Sequence, residues 1–438
     1  MRESGRHVLF AATWRSAVLN FGKLLAFFLS AVLLFNDLGC GKQKEEGVTI
    51  SFLDTEDKNG AWAEVIATFE AMNPGSKVRL IEGPASTDTR ESQYATSLLA
   101  RDSTYDLIYL DVVWVPKFSA NGWLVPLDEY FPPALQEEFL PGDIQASTYA
   151  GHIWRIPIRS NGGMLYYRKD LLESANLEPP RTFEELVDIS QKLQNPPDVW
   201  GFVFQGKQYE GLTCVFLEIL RGFGGDVLSP DGRCVFDSPE SVATLTWMRD
   251  AIFQERIVPE AVRTYEENES LVSFLSGKSI FMRNWPYAWK VCNEEGSEIG
   301  GKVGIIPMPH VPDQSSSSTS GGWGFGVSQF SRHKDEALKF AFHAARPESL
   351  KVFARKQGGA PSRKSLYKDS ELVALFPHYP ELYEVLIHAQ PRPVHPRYAE
   401  MSDVLQRHVS AVLTDTETPE GAVREAAGEI NEILARSS

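Results

Sequence analysis

The chain has 438 residues, of which 43% are hydrophobic and 23% charged, with a formal net charge of −15. That length allows two hydrophobic cores, and the composition is that of an ordinary globular protein, not a disordered or fibrous one. An acidic surplus of this size excludes a nucleic-acid partner, because a phosphate backbone requires a basic face.

Arg2, Arg6, Arg15 and Lys23 precede an apolar run at 24–35, LLAFFLSAVLLF. The run is too short to span a bilayer comfortably and has the layout of an export signal. Leu38-Gly39-Cys40-Gly41 follows and resembles a bacterial lipoprotein signal, although Asp37 stands where an aliphatic residue is usual. Residues 1–40 are therefore expected to be a leader, with Cys40 as the lipidation site. Residues 41–47, GKQKEEG, form a polar tether. The remainder is expected outside the cytoplasm, held to the membrane by the lipid or by an uncleaved leader.

Strand and helix signals then alternate. Residues 48–53 read as a strand. Trp62, Val65, Ile66, Phe69 and Met72 form one helical stripe that ends at Asn73-Pro74-Gly75, and 77–81 alternates as a second strand. A helix near 92–100 leads to the apolar strand 105–111, which ends on Asp111. Ligands of open α/β sheets bind at the carboxyl ends of strands, so Asp111 is a site candidate; it is also placed to cap a helix beginning near Trp114. Residues 152–158 and 162–167 read as strands, and Thr182-Phe183-Glu184-Glu185 is a capping box that starts a helix. Further strands are expected at 200–204, 278–282 and 304–307, and helices at 239–253 and 267–275. Residues 315–320 read as a flexible polar loop. From 335 onward the pattern is mainly helical, broken at Gly358-Gly359 and at Pro391-Arg392-Pro393.

Three segments carry chemistry. FMRNWPYAW at 281–289 places Trp285, Tyr287 and Trp289 around Pro286, which resists regular structure and so shows the aromatics from a loop. Aromatic faces suit the C–H faces of sugar rings, and indole N–H and phenol O–H suit hydroxyls; an aromatic core turn would have the same composition. Gly321-Gly322-Trp323 reads as a turn that brings backbone and one indole near something. Arg392, held between two prolines, offers a forked pair of donors, although a surface arginine in a connector would have the same sequence. No Cys-x-x-Cys, HExxH, GxSxG or Walker-type loop is present, so no cofactor, metal or catalytic residue is expected. Cys214, Cys234 and Cys292 allow one disulfide, with Cys214 and Cys234 nearest in sequence.

Taken together, LIYLDVVWVPKFSANGWLVPLD at 107–128, MLYYRKDLL at 164–172, WGFVFQGKQYEGLTC at 200–214, FMRNWPYAW, GKVGIIPMPH at 301–310, GGWGFGVS at 321–328 and QPRPVHPRY at 390–398 resemble the substrate-binding proteins of ABC sugar importers, most closely the trehalose/maltose-binding group. The likeness covers about 48–436. It implies an α/β, two-lobed periplasmic-binding-protein fold of type II-like design, each lobe a β-sheet flanked by helices, with a cleft between them. Lobe one is about 46–158 plus 304–345, and lobe two about 159–303 plus 346–438. It implies a monomer that closes on a carbohydrate and delivers it to ABC permease subunits in the membrane.

The resemblance also implies sugar contacts from Asp111, Trp285, Tyr287, Gly321, Gly322, Trp323 and Arg392, with Gln93, Tyr209 and Glu210 as further candidates. Relatives carry an aromatic and then an acid where this chain has Arg159 and Asn161. They carry an arginine on the early helix where Ser92 or Gln93 is expected here. Asn161 can both donate and accept, and Arg159 adds a fixed charge. The ligand expected is thus a glucoside related to trehalose or maltose, with a small polar aglycone such as glycerol among the options. A secreted glycosidase or transglycosylase, or a surface lectin, is the competing reading; the first requires two carboxylates at a set separation.

Overall fold

The computed structural model describes residues 47–84 and 86–436. The leader, Cys40 and most of the tether lie outside them. Among the described residues no helix is long and apolar enough to cross a membrane.

β1 (Val48–Asp54) pairs in parallel with β2 (Ser76–Glu82). Between them the expected stripe folds as the helix Ala61–Met72, which buries Trp62, Val65 and Phe69. β3 (Leu107–Asp111) follows the helix Thr87–Leu99, which starts before the expected 92 because Ser86 caps it through a bond from the Thr89 N–H at 3.3 Å. A small hairpin of β4 (Thr148–Tyr149) and β5 (His152–Ile153) precedes β6 (Ile156–Gly162). β7 (Met164–Arg168), β8 (Trp200–Val203), β9 (Ser279–Asn284) and β10 (Val303–Ile306) form a four-stranded sheet in the order β10-β7-β9-β8. β11 (Ser318–Val327) is the hub of the other large sheet. It pairs with β6 and β3 antiparallel, with β13 (Ala389–Gln390) in parallel, and β12 (Ala360–Pro361) adds to β6. The capping box forms as expected: Glu185 N–H donates to Thr182 Oγ1 at 3.1 Å, and Thr182 N–H to Glu185 Oε2 at 3.0 Å.

Three sequence expectations change here. The polar run 315–320 is not a loop at its end: Ser318, Thr319 and Ser320 are buried in β11. Gly321-Gly322-Trp323 is not a turn but the middle of that strand. A Cβ on Gly322 would lie 2.3 Å from the Arg159 carbonyl oxygen, and one on Gly324 2.3 Å from that of Ile156, so these glycines serve close strand approach. Gly322 also has φ +131°, and the register slips between Trp323 and Gly324. The aromatic segment is not a loop either. β9 runs to Asn284, Trp285 and Pro286 make a corner, and the helix Tyr287–Cys292 begins at once, with Pro286 at φ −54° suited to that start.

Sheet membership also sets where the chain exchanges sheets. β6 stays in the β11 sheet, here the first sheet, to Gly162, past the expected boundary at 158/159, and the β10-β7-β9-β8 sheet is the second. Gly163 is then the link to β7, and a Cβ there would overlap Glu218 and Arg283. β10 remains in the second sheet although 304 onward was assigned to lobe one. The helix Pro347–Gln357, assigned to lobe two, packs Phe353 on Trp62 at 4.6 Å between centroids. Those bounds were carried over from the resemblance, which fixes no residue at which this chain changes sheets.

One buried cluster gathers Phe52, Trp62, Tyr109, Phe325, Phe340 and Phe353; another gathers Leu165, Phe202, Phe216, Leu217, Met248, Phe281, Leu405 and Ile430. Each such side chain stabilises the fold by roughly 1.5–3 kcal/mol on burial. Cys214, Cys234 and Cys292 are free thiols, so the allowed disulfide does not form.

Candidate functional site

β11 organises the candidate residues through its register. Trp323 is opposite Asp111 on β3 and opposite Arg159 on β6, while Gly321 is opposite Asn161. Opposed residues on antiparallel strands share a face, so Asp111, Trp323 and Arg159 form one row across three strands. All three are half-buried. Asp111 also caps the short helix Val112–Trp114, accepting from the Val113 N–H at 3.2 Å, slightly before the expected cap position.

Arg392 joins this row from the far end of the chain. It is 5% exposed, and its two terminal nitrogens donate to Asp111 Oδ1 at 3.0 Å and to Glu210 Oε1 at 2.6 Å. Glu210 in turn accepts from Tyr398 Oη and from Ser402 Oγ. Burial opposes the Arg392 charge, but the surrounding groups, Cys214, Asp111 and Glu210 first among them, outweigh it and raise its pKa. One guanidinium thus ties a strand end of the first sheet to a helix start beside the second.

A second group surrounds the Trp323 ring. The Arg90 guanidinium lies 4.3 Å from its centroid, and Tyr109 stacks on it at 5.4 Å and 24°. Arg90 is held by Asp54 Oδ1 at 2.6 Å, and Asp54 Oδ2 accepts from the Trp62 indole N–H at 2.9 Å. Arg159 Nε donates to Tyr109 Oη at 3.0 Å, and Arg159 Nη1 to Gln357 Oε1 at 3.2 Å. Burial pushes the Tyr109 phenol up to about 12, against the pull of Arg159, so it stays protonated.

A third group surrounds Trp285, whose ring lies 3.6 Å from the point where a Gly321 Cβ would sit; Asn161 borders the same point at 3.2 Å. Any side chain at 321 would fill the space between indole and amide. Trp285 Nε1 donates to Glu267 Oε1 at 3.2 Å, and Tyr209 Oη donates to Glu267 Oε2 at 2.8 Å. The Arg283 guanidinium sits 3.9 Å from the Trp285 ring centroid and is itself fully buried on Glu218 and Gln205. Glu218 also accepts from the Thr319 N–H at 3.1 Å, which fastens β11 to this cluster. Burial, and then Glu267, raise the pKa of the half-buried Tyr287. Asn161 makes no side-chain hydrogen bond among the described residues, leaving its amide available.

The structure therefore brings together Asp111, Arg159, Asn161, Glu210, Gly321, Gly322, Trp323, Trp285 and Arg392, with Tyr209 and Tyr287 at the Trp285 end. It does not bring Gln93 to them: Gln93 and Ser92 are exposed, whereas Arg90 of the same helix turns inward. Trp289 stacks on His378 at 4.0 Å and belongs to the core. Arg90, Asp54 and Glu267 were missed in the sequence. Asp54 ends β1 as Asp111 ends β3, so the strand-end rule could have found it. Nothing in the sequence marks Glu267.

The pattern of the family described as "Bacterial extracellular solute-binding protein" matches residues 54–351. A probable ABC transporter-binding protein of Deinococcus radiodurans is 33% identical over 376 residues, covering 84% of this chain and 89% of that one. Among solved structures, maltose-bound MalE3 of T. maritima superposes with a TM-score of 0.81 at 38% identity, covering 88% of this chain and 99% of the other. A solute-binding protein from Thermotoga lettingae bound with α-D-tagatose has a TM-score of 0.77 at 27% identity, covering 88% and 99%.

Proposed function

The chain belongs to the bacterial extracellular solute-binding proteins of ABC transporters, and on that premise we propose that it captures a neutral carbohydrate and hands it to a membrane permease. The family is one of binding proteins, not of enzymes. The ligand proposed is an α-glucoside or similar di- or oligosaccharide, trehalose/maltose-like or glucosyl-glycerol-like. The observation that carries this reading is the pair of half-buried indoles, Trp285 and Trp323, set around a strand row that also bears Asp111, Arg159 and the unengaged amide of Asn161.

Charge balance supports a neutral ligand. Arg90 is paired with Asp54, Arg283 with Glu218, and Arg392 with both Asp111 and Glu210, while the charge of Arg159, bonded to Tyr109 and Gln357, is offset by that of Glu267, bonded to Tyr209 and Trp285. An anionic sugar would displace one of these carboxylates or leave it uncompensated. The Trp285 face turned away from Arg283 meets the sugar ring, the edge of Trp323 lines the site beside it, and carboxylates, guanidiniums and Asn161 meet the hydroxyls. A wrong sugar is rejected because it leaves buried polar groups unpaired. The relatives bound to maltose and to tagatose support a small neutral carbohydrate.

In this reading two lobes close on the ligand. The sugar bridges Asp111 and Trp323 on one side and Glu210 and Trp285 on the other, so it favours the closed state by its differential affinity. Residues 1–40 act as an export leader and Cys40 carries the lipid that anchors a monomer outside the cytoplasm. Calorimetric titration against maltose, trehalose, glucosyl-glycerol and a uronic-acid disaccharide tests the ligand class. The neutral glucosides are expected to bind with one-to-one stoichiometry and the uronic acid not at all. Maltose or trehalose binding far tighter than glucosyl-glycerol rejects the small-aglycone option.

A further inference from the structure

The last two helices, Tyr398–Leu413 and Pro419–Ala435, pack side by side, joined by a short turn. His408 lies between them, 8% exposed. Its Nδ1 is 2.9 Å from Glu417 Oε2 in the turn, and its Nε2 is 3.0 Å from Glu429 Oε1 on the second helix. A neutral imidazole has one N–H and can donate to only one of these carboxylates. Glu429 is already oriented by Arg407, whose Nη2 donates to Oε2 at 2.6 Å. It is therefore the acceptor placed for Nε2–H, which leaves the Nδ1 lone pair facing Glu417.

Glu425, one helical turn before Glu429, completes the arrangement. One ring nitrogen of His408 and one oxygen each of Glu417 and Glu425 all lie within 4.8 Å of one another. With the neutral ring donating to Glu429, three electron-pair donors face one another, and either a second ring proton or a shared cation relieves their repulsion. We propose that His408 Nδ1, Glu417 and Glu425 form a site for a borderline divalent transition cation, zinc by preference. The site has one nitrogen and two carboxylate ligands, and a fourth position open to solvent. Glu429 is its positioning residue: it holds the imidazole in the ligating tautomer, as a carboxylate behind a metal-bound histidine does. Calcium and magnesium, which take oxygen ligands, do not suit an imidazole. No spacing in the sequence announces this site, because its three ligands come from a helix, a turn and a second helix.

The test is calorimetric titration of the chelator-stripped full chain with zinc sulfate, alongside Glu417→Gln/Glu425→Gln and Glu429→Gln. These positions are half-buried or exposed, so folding tolerates the changes. The wild type is expected to take one zinc at micromolar affinity or better, with no heat from calcium or magnesium. The double variant is expected to lose affinity by about 100-fold or more, and Glu429→Gln by about 10-fold although it touches no metal. Sugar binding should be unchanged in each, which separates this site from the cleft. No zinc uptake by the wild type, or uptake that survives in the double variant, overturns the proposal; His408 is then an imidazolium bridging Glu417 and Glu429.

Discussion

Arg283 and Arg392 both reach buried glutamates, but their surroundings differ. Arg283 and Glu218 are each 0% exposed, and Gln205 and the Thr319 amide take up further bonding capacity of the pair. Arg392 is also buried, but its partners Asp111 and Glu210 keep 13% and 29% of their side-chain surface. Similar chemistry gives a closed structural knot in one place and a fork with partly exposed partners in the other, the one the proposed function assigns to the ligand. What separates them is whether the partners' lone pairs are all taken up within the fold.

Glu218→Gln attacks the closed knot and should have the largest effect. It keeps the shape but leaves the Arg283 charge unpaired, costing about 3–5 kcal/mol in urea unfolding; a loss below about 1 kcal/mol would contradict the assignment. A buried acid and arginine that form no ion pair sharpen the contrast: Arg155 Nη2 donates at 3.4 Å to the main-chain oxygen of Asp143, not to its carboxylate. Asp143 is 1% exposed beside Arg155, and burial pushes its carboxyl up to about 7, against the pull of Arg155. Its folded pKa thus lies above the unfolded one. Its contribution to stability is full below about pH 4 and is lost as pH rises through about 7, by up to about 4 kcal/mol. Unfolding at pH 5 and pH 8 should show this slope in the wild type and its absence in Asp143→Asn.

The open region should respond in affinity more than in stability. Trp285→Ala is expected to weaken sugar binding by about 1–3 kcal/mol in calorimetry. Arg392→Lys keeps the charge but loses the fork that holds Asp111 and Glu210 together, and should cost roughly tenfold in affinity. Gln93→Ala, on the exposed side of its helix, should stay within about 0.5 kcal/mol of the wild type in both measurements.

Much of the fold was legible because strand and helix periodicities are local. The stripe from Trp62 to Phe69, the capping box at Thr182 and the apolar strand ending on Asp111 all follow from neighbours in sequence, whereas Met72 at the end of the stripe is exposed. Gly321 to Trp323 was misread because glycine serves two purposes that look alike in sequence: a positive φ in a turn, and room for a neighbouring backbone in a sheet. Arg90 went unread because a helix face is decided by what packs on it, here Asp54 and Trp323. Glu267 became visible only through the Trp285 indole and Tyr209 phenol that converge on it.

The central claim is most directly tested by titrating the wild type and Trp285→Ala with the neutral glucoside that binds best in the disaccharide panel. The account predicts one site of micromolar affinity or better in the wild type, weakened about 5- to 150-fold in the variant. Equal affinity in the two proteins, or no binding by any neutral glucoside, would contradict it.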